Sequence, residues 1–302
     1  MGGPCGASKG AMKQFLTAVL IVSSLLAAGG AGASLDRSVG GARSQGMGGA
    51  FVSVADDRSA LFVNPAGMVS TGQAGVYLDY AEPQGGATNR ESRIGLGVPA
   101  GGTSVGLGWY RSDARDVSTE SLLIVGAARK LVEGTQGSYL SVGAGVSIAS
   151  ASVGGRLQSE RRSRKSDVTA DAGIILKPLP VVSFGYSVWN IRDADLGTSG
   201  GERWSRVQRW GVSYSWEEKI ILSLEREHGA RSRRLHYGLS ARTAVPLELM
   251  AGFSEGSAAG GVRWLGSRFR AAVSFASEGG GAVTWTTSCE IAFRRASTGG
   301  TK

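Results

Sequence analysis

The titratable side chains that could do chemistry in this sequence do not form a catalytic pattern. Histidine occurs only at His228 and His236, and cysteine only at Cys5 and Cys289, so a cysteine–histidine metal site is not expected. A hydrolytic triad could be drawn from His236 with a nearby serine and glutamate, but an isolated histidine on a polar face is the better interpretation. We therefore predict that the protein is not an enzyme and holds no cofactor and no metal.

The start of the chain is predicted to be an export signal. Residues 12–28 combine a short basic stretch with an apolar run, and Ala31-Gly32-Ala33 is a small-x-small cleavage pattern. Cleavage after Ala33 removes a signal peptide of residues 1–33; whether translation starts at the first or the second methionine stays open. This step removes Lys9 and Lys13 and no acidic residue, so the formal charge falls from +9 to +7. Because the protein is exported, its basic charge does not indicate a nucleic-acid partner.

From residue 73 to residue 294 the chain reads as about 14 strand-length segments in which apolar and polar residues alternate. The least regular segments are 119–129 and 258–264. A soluble sandwich would also alternate, but mid-strand charges such as Asp171 and Glu248 favour an apolar outside and a polar inside. The sequence therefore predicts an all-β fold, a transmembrane antiparallel up-and-down barrel of about 14 strands.

Titratable side chains on the polar faces of these segments are predicted to line the lumen. Their simplest role is a charge network against an inner plug, with substrate contacts as the alternative. The residues are Asp171, Arg209, His236, Arg242, Glu248, Arg263, Arg270 and Glu290. Aromatic residues near segment ends predict belts at the two membrane–water interfaces; these are Tyr80, Trp109, Tyr110, Trp189, Trp204, Trp216 and Trp264.

Residues 34–72 do not alternate and are predicted to be a small hatch, or plug, inside the lumen. Asp56 or Asp57 can cap a short helix, and Asn64-Pro65 ends it because the residue before proline avoids helical geometry. Fourteen strands enclose a lumen too wide for wall side chains to fill, which leaves room for such a segment. Residues 73–294 then form the barrel and residues 295–302 a periplasmic tail.

The stretch from Gly46 to Asp57, followed by Asn64-Pro65-Ala66-Gly67, resembles the long-chain fatty-acid (FadL-like) outer-membrane transporter family. It is especially similar to the branch that includes type IX secretion shuttle proteins, and Asp171–Pro178 is a second match. The resemblance implies a hatch beside a kinked strand that opens a lateral gap toward the lipid. The implied hatch residues are Gly46, Gly48, Gly49, Asp56, Asp57, Asn64, Pro65, Ala66 and Gly67.

These features predict a protein of the Gram-negative outer membrane that takes up or passes small hydrophobic molecules. The alternative is a plugged barrel that acts as a secretion shuttle or scaffold and binds exported proteins, and a simple porin is a second alternative. The expected partners are membrane lipid, lipopolysaccharide and a small hydrophobic ligand or an exported protein. Basic loop residues such as Arg161 and Arg162 are either solvated tips or contacts to lipopolysaccharide phosphates.

Overall fold

A computed structural model describes most of the chain outside its two ends. The described residues are 40–84, 89–114, 118–153, 163–196, 204–229, 233–277 and 282–293. The predicted signal peptide, the first six residues of the predicted hatch, the predicted tail and the loop residues Arg161 and Arg162 lie outside the described residues.

Fourteen antiparallel strands form a closed barrel in which each strand pairs with its neighbours in sequence and β1 pairs with β14. The strands are β1 Gly75–Gln84, β2 Asn89–Ala100, β3 Thr103–Ala114, β4 Ser118–Glu133, β5 Tyr139–Val153, β6 Ser163–Leu179, β7 Val182–Trp189, β8 Val207–Trp216, β9 Ile220–His228, β10 Arg233–Arg242, β11 Leu247–Ser254, β12 Ser257–Leu265, β13 Phe269–Ser277 and β14 Val283–Ala292. The predicted fold class and strand count are confirmed, and the two segments with the least regular sequence alternation, 119–129 and 258–264, form parts of β4 and β12.

The alternation of the sequence becomes an alternation between the inside and the outside of the barrel. In β4, Leu122 and Ile124 are buried inward, whereas Leu123 and Val125 are 45 % and 59 % exposed on the outside. The same period of two places apolar side chains outward on the other strands, and Cys289 lies on this outer register. An apolar outer face is what a barrel needs in contact with lipid. None of the described helices has the length and apolar character to cross a membrane.

The prediction of interfacial aromatic belts was wrong for three residues. Tyr110 and Trp189 are 1 % and 3 % exposed and face the lumen, and Trp204 is also buried. The first two rings are stacked under arginine side chains, Tyr110 under Arg93 and Trp189 under Arg209. These rings therefore serve the barrel interior through cation–π contacts rather than the membrane interface.

The barrel wall is regular from β2 to β4 and irregular between β6 and β8. The β2–β3 and β3–β4 ladders run without a register shift, and the shift of β4 against β5 is confined to the stretch between Lys130 and Val132, near the end of β4. By contrast, β7 pairs with β6 only over residues 172–176 and at Leu179. The outer part of β6, residues 163–171, has residues 190–195 beside it instead of β7, joined by the bond from Ile191 N to Ala170 O at 2.9 Å.

Inside the barrel lies the N-terminal segment, residues 40–72, which contains helices α1 (Gly41–Gly46) and α2 (Ala60–Val63) and a 3₁₀ helix (Pro65–Ser70). Nearly every residue from 40 to 68 is buried. Asp57 Oδ1 accepts the backbone N–H of Ser59 at 3.0 Å, just ahead of α2, and Asn64 adopts an extended conformation that ends the helix before Pro65. The predicted end of the helix at Asn64 is confirmed, whereas the predicted cap is wrong: the N-cap is Ser59 rather than Asp56 or Asp57, and no side chain caps the helix.

Candidate functional site

The contact between the N-terminal segment and the barrel wall is built on glycines that face inward. A Cβ atom added at Gly173 would fall on the Asn64 side chain, and one added at Gly143 would fall on the Pro65 backbone. Gly48 has φ of +63°, and a Cβ there would lie 2.5 Å from the backbone nitrogen of Phe253 in β11. At these points the segment and the wall are so close that any side chain in place of glycine would clash.

Asn64 fixes the turn between α2 and the 3₁₀ helix. Its Nδ2 donates to Val52 O at 2.9 Å and to Ile174 O of β6 at 3.2 Å, while its Oδ1 accepts Ala66 N at 3.2 Å. Trp189 Nε1 in β7 donates to Val63 O at 2.8 Å, one residue before. The turn at residues 63–66 is therefore hydrogen-bonded both to its own segment and to two strands of the wall, β6 and β7.

An apolar part of the segment faces β3 and β4. Leu61 packs so close to Gly108 and Gly126 that a Cβ on either glycine would come within 2.8 Å of its methyl groups. Met68 Sδ lies in the same way over Gly106. The side chains fill space that would otherwise be open lumen, and their burial contributes to holding the segment in place.

A buried charge network joins the segment to β11, β12 and β14. Arg43 of α1 donates through Nε to Glu248 Oε1 at 3.1 Å and is ion-paired with Asp56. Arg263 donates to Glu248 Oε2 at 3.2 Å and pairs with Glu290. Each guanidinium thus lies between carboxylates. Such ion pairs and charge-assisted hydrogen bonds compensate the free-energy cost of removing the charges from water.

Asp57 lies where the two arginines of this network meet. Its Oδ2 is 3.4 Å from Arg43 Nη1 and 3.6 Å from Arg263 Nη2. Burial alone would raise the pKa of Asp57, but the charges of Arg263 and Arg43 outweigh that effect and hold the pKa below its ordinary value of 3.8. Asp57 is therefore a carboxylate that links the segment to β12 electrostatically.

A second network joins the segment to β8, β9 and β10. Glu225 Oε2 accepts the backbone N–H groups of Phe51 and Val52, each at 2.7 Å, and Glu225 Oε1 accepts Arg209 Nη1 at 3.1 Å. Arg209 also pairs with Glu227. One carboxylate thus satisfies two amides of the segment and one arginine of the wall.

His236 belongs to this second network and is not arranged as a catalytic base. Its Nδ1 lies 2.8 Å from Gly48 O, and because a carbonyl only accepts, Nδ1 carries the proton. Its Nε2 is 3.9 Å from Glu227 and bonds no serine among the described residues. The nearby Ser240 hydroxyl donates instead to Glu248.

The eight sequence-predicted lumen residues do not all share one environment. Arg209, His236, Glu248, Arg263 and Glu290 are buried in the two networks. Asp171 is buried in β6, where its Oδ1 accepts Asn190 N at 2.8 Å. Arg270 is half-buried opposite Glu290 in the β13–β14 register, and Arg242 is exposed at the end of β10. Two of the eight residues, Arg270 and Arg242, therefore lie outside the buried set.

A third buried charge cluster was missed in the sequence. Arg93 of β2 donates to Asp79 of β1 and to Glu91, each at 2.5 Å, and Tyr110 OH donates to Glu91 at 3.1 Å. The sequence did indicate this cluster. Glu91 and Arg93 are two residues apart in a predicted strand, so their side chains lie on the same face. Glu225 was also missed, because it follows a nearly continuous apolar run from Ile220.

Comparison with known proteins identifies the fold but no sequence family. No protein-family model and no curated protein sequence matches the chain. Among solved structures, the chain is similar to the toluene transporter TbuX of Ralstonia pickettii, with 12 % identity and a TM-score of 0.61 over 84 % of this chain and 98 % of that one. The monoaromatic hydrocarbon channel CymD gives 13 % identity and a TM-score of 0.65 over 84 % and 97 % of the two chains.

A FadL homologue of Pseudomonas aeruginosa is similar to the same extent. It has 13 % identity and a TM-score of 0.64, and the match covers 87 % of this chain and all of the other chain. At these identities the likeness extends to the architecture and not to the side chains. The protein, a closed 14-stranded barrel, thus has a fold similar to those of a toluene transporter, a monoaromatic hydrocarbon channel and a FadL homologue.

Proposed function

We propose that this protein is an outer-membrane barrel that lets small hydrophobic molecules pass, with the N-terminal segment as the obstruction that moves. The observation that carries the proposal is the segment itself, which lies inside the barrel and forms none of its strands. The fold shared with hydrocarbon channels and the apolar outer face of the strands support it. No bond is made or broken in this activity; the protein provides a path past the polar outer leaflet.

The incomplete β6–β7 ladder supports a sideways exit on that side of the barrel. There residues 190–195 lie beside residues 163–171 in place of β7, and their contacts include the bond from Asp195 N to Asp167 Oδ2 at 2.9 Å and the ion pair of Lys165 with Asp195 at 2.6 Å. Lys165 and Asp195 are exposed, so their pairing contributes little. A molecule that leaves there enters the lipid directly.

A reversible crosslink tests whether movement of the segment is required. An ideal Cβ at Gly46 lies 3.2 Å from Met250 Cβ, close to the separation that a disulfide spans. We expect the pair Gly46→Cys with Met250→Cys, in a Cys289→Ser background, to block uptake of a radiolabelled aromatic hydrocarbon into proteoliposomes when oxidised. Uptake should return on reduction.

The matched control for this disulfide is a cysteine pair within the barrel wall. Val262→Cys with Val273→Cys joins register partners on the outer face of β12 and β13 and leaves the segment free. Its oxidation should leave uptake unchanged. If oxidised Gly46→Cys with Met250→Cys transports as fast as the parent, the segment is not the moving part. If the parent protein does not exceed empty liposomes, the transport proposal itself fails.

The second candidate function is a sealed docking barrel for exported proteins. The observation that favours it is the number of independent anchors on the segment, which include Arg43, Asn64 and the amides bound by Glu225. Photocrosslinking in the native outer membrane distinguishes the two functions. A protein partner recovered in stoichiometric yield, together with absent hydrocarbon uptake, would favour docking. Steady ion conductance in planar bilayers would instead indicate a simple porin.

A further inference from the structure

Three basic side chains lie together on the outer face of β9 and β10, at the end where one strand leads into the next. Glu225 and Glu227 of β9 are buried toward the lumen, so the alternation turns Arg226 and His228 outward. Arg233 of β10 is the register partner of His228 and lies on the same face. Arg226 and His228 are half-buried and Arg233 is exposed. We call these three residues the basic patch.

The basic patch has no carboxylate to balance its charge among the described residues. The carboxylates of Glu225 and Glu227 are on the opposite face of β9, where they pair with Arg209. Neither Arg226 nor Arg233 forms an ion pair with a described residue. Like charges on neighbouring strands repel each other, and both guanidinium groups stay protonated at any physiological pH. An anion bound from outside the chain would offset this repulsion.

Outward arginines on β2 and β3 have the carboxylate partners that the basic patch lacks. At the same end of the barrel, Arg90 pairs with Glu82 at 3.1 Å and Arg111 pairs with Asp113 at 2.8 Å. All four side chains have the outward phase of their strands. The chain thus provides a carboxylate to each of these two arginines and to neither arginine of the basic patch.

The basic patch borders on the apolar outer face of the barrel. Arg226 is the register partner of Trp210 in β8 and of Leu235 in β10. Trp210 and Tyr237 are 37 % and 40 % exposed, and such rings are typical of a membrane–water interface. In this up-and-down barrel the end of β9 lies on the side opposite to the end of β14, which leads to the predicted periplasmic tail. With that orientation, the patch lies at the level of the headgroups of the outer leaflet.

We propose that the basic patch binds a phosphate group of lipopolysaccharide, with an acyl chain of the same molecule against Trp210 and Tyr237. A guanidinium group binds two phosphate oxygens through parallel N–H bonds, and the imidazole of His228 can donate a further bond. Facing residues have Cβ atoms about 4.5–5.5 Å apart, and successive outward residues of one strand are about 7 Å apart, so the three side chains can reach one phosphate. The site rests on the proposed outer-membrane location and is independent of transport.

Binding of lipid A, the phosphorylated anchor of lipopolysaccharide, tests the site directly. Native mass spectrometry of the full chain in detergent measures the fraction of protein with bound lipid at each lipid concentration. We expect Arg226→Gln with Arg233→Gln to weaken binding of bisphosphorylated lipid A roughly 10- to 100-fold, because two charged hydrogen-bond donors are lost. Lipid A without its phosphates should bind to wild type and to this variant equally weakly.

Arg90→Gln with Arg111→Gln is the matched control, because it removes the same two charges from the same end of the barrel. This variant should bind lipid A as wild type does, and heat-modifiable migration on gels checks that each variant is a folded barrel. An equal loss in both variants, no loss in either, or no binding by wild type would overturn the site. Phosphatidylglycerol bound as tightly as lipid A would overturn lipopolysaccharide as the partner. Selective lipid A binding without hydrocarbon uptake would instead leave the site standing and overturn the transport function.

Discussion

Glu225 of β9 accepts the backbone N–H of Phe51 at 2.7 Å, across 174 positions of the sequence. The same oxygen accepts the N–H of Val52, and the other carboxylate oxygen accepts Arg209. Glu225 of the wall therefore binds the backbone of the N-terminal segment. These hydrogen bonds do not involve the side chains of residues 51 and 52.

Substitution of Glu225 should release this part of the segment. Glu225→Leu leaves two amides without their acceptor and removes one of the two carboxylates that pair with the buried Arg209, which we expect to cost about 3–5 kcal/mol of unfolding free energy. Glu225→Gln keeps one acceptor oxygen and should cost about half as much. Urea unfolding in detergent measures both. Glu217→Gln, an exposed residue in the β8–β9 turn, should change nothing, and a Glu225→Leu variant as stable as wild type contradicts the assignment.

Two glycine-to-alanine substitutions should behave in opposite ways. Gly173→Ala places a methyl group on the Asn64 side chain and should displace the Asn64-Pro65 turn, at a cost of about 1–3 kcal/mol. Gly97→Ala meets nothing within 4 Å and should be neutral. Thermal unfolding and limited proteolysis of the segment provide the measurement. Equal behaviour of the two variants would mean that the segment does not lie against β6 in solution.

The link between Asp57 and the two arginines should weaken in acid. Because the folded-state pKa of Asp57 lies below 3.8, its stabilisation is complete above that value and is lost as the pH falls through the folded pKa. We expect the stability difference between wild type and Asp57→Asn to be constant from pH 5 to pH 7 and to shrink below pH 3.8. Urea midpoints from pH 7 to pH 2.5 test this. If the stability difference between wild type and Asp57→Asn stays the same down to pH 2.5, the negative charge of Asp57 does not stabilise the folded protein.

The irregular wall between β6 and β8 should exchange its amide hydrogens sooner than the regular wall. Ile191 N bonds to Ala170 O in a stretch without a strand ladder, whereas β3 is paired on both sides along its whole length. Asn190→Ala removes the side chain that bonds Trp204 O and Ala194 N and should accelerate exchange there further. Hydrogen exchange in nanodiscs tests both. Slower exchange at Ile191 than in β3 would place any lateral opening elsewhere.

The barrel could be predicted from the sequence because a period of two is a local property. Segments such as β5, in which Val146 and Ile148 face out while Ser147 faces in, show their phase within a few residues. The same reasoning places Trp109 and Tyr110 on opposite faces, which is why treating both as interfacial aromatics was wrong. Local chemistry also predicted where α2 ends, because Pro65 restricts Asn64.

The pairing of the lumen residues could not be predicted in the same way. Arg43 and Glu248 are 205 positions apart, and their contact depends on the path of a segment that has no ladder to fix its register. The polarity of a residue and its position in the strand alternation predict whether its side chain faces the lumen. Which of these side chains are in contact depends on the three-dimensional fold.

The short distance between the N-terminal segment and β1 has a consequence for biogenesis. β1 begins at Gly75, immediately after the segment, and it is the strand that pairs with β14 to complete the circle. The ion pairs that join Arg43 to Glu248 and Asp57 to Arg263 form only when the segment and strands β11 and β12 are both in place. Withdrawal of these charges from water therefore belongs to the stage of assembly at which the barrel surrounds the segment.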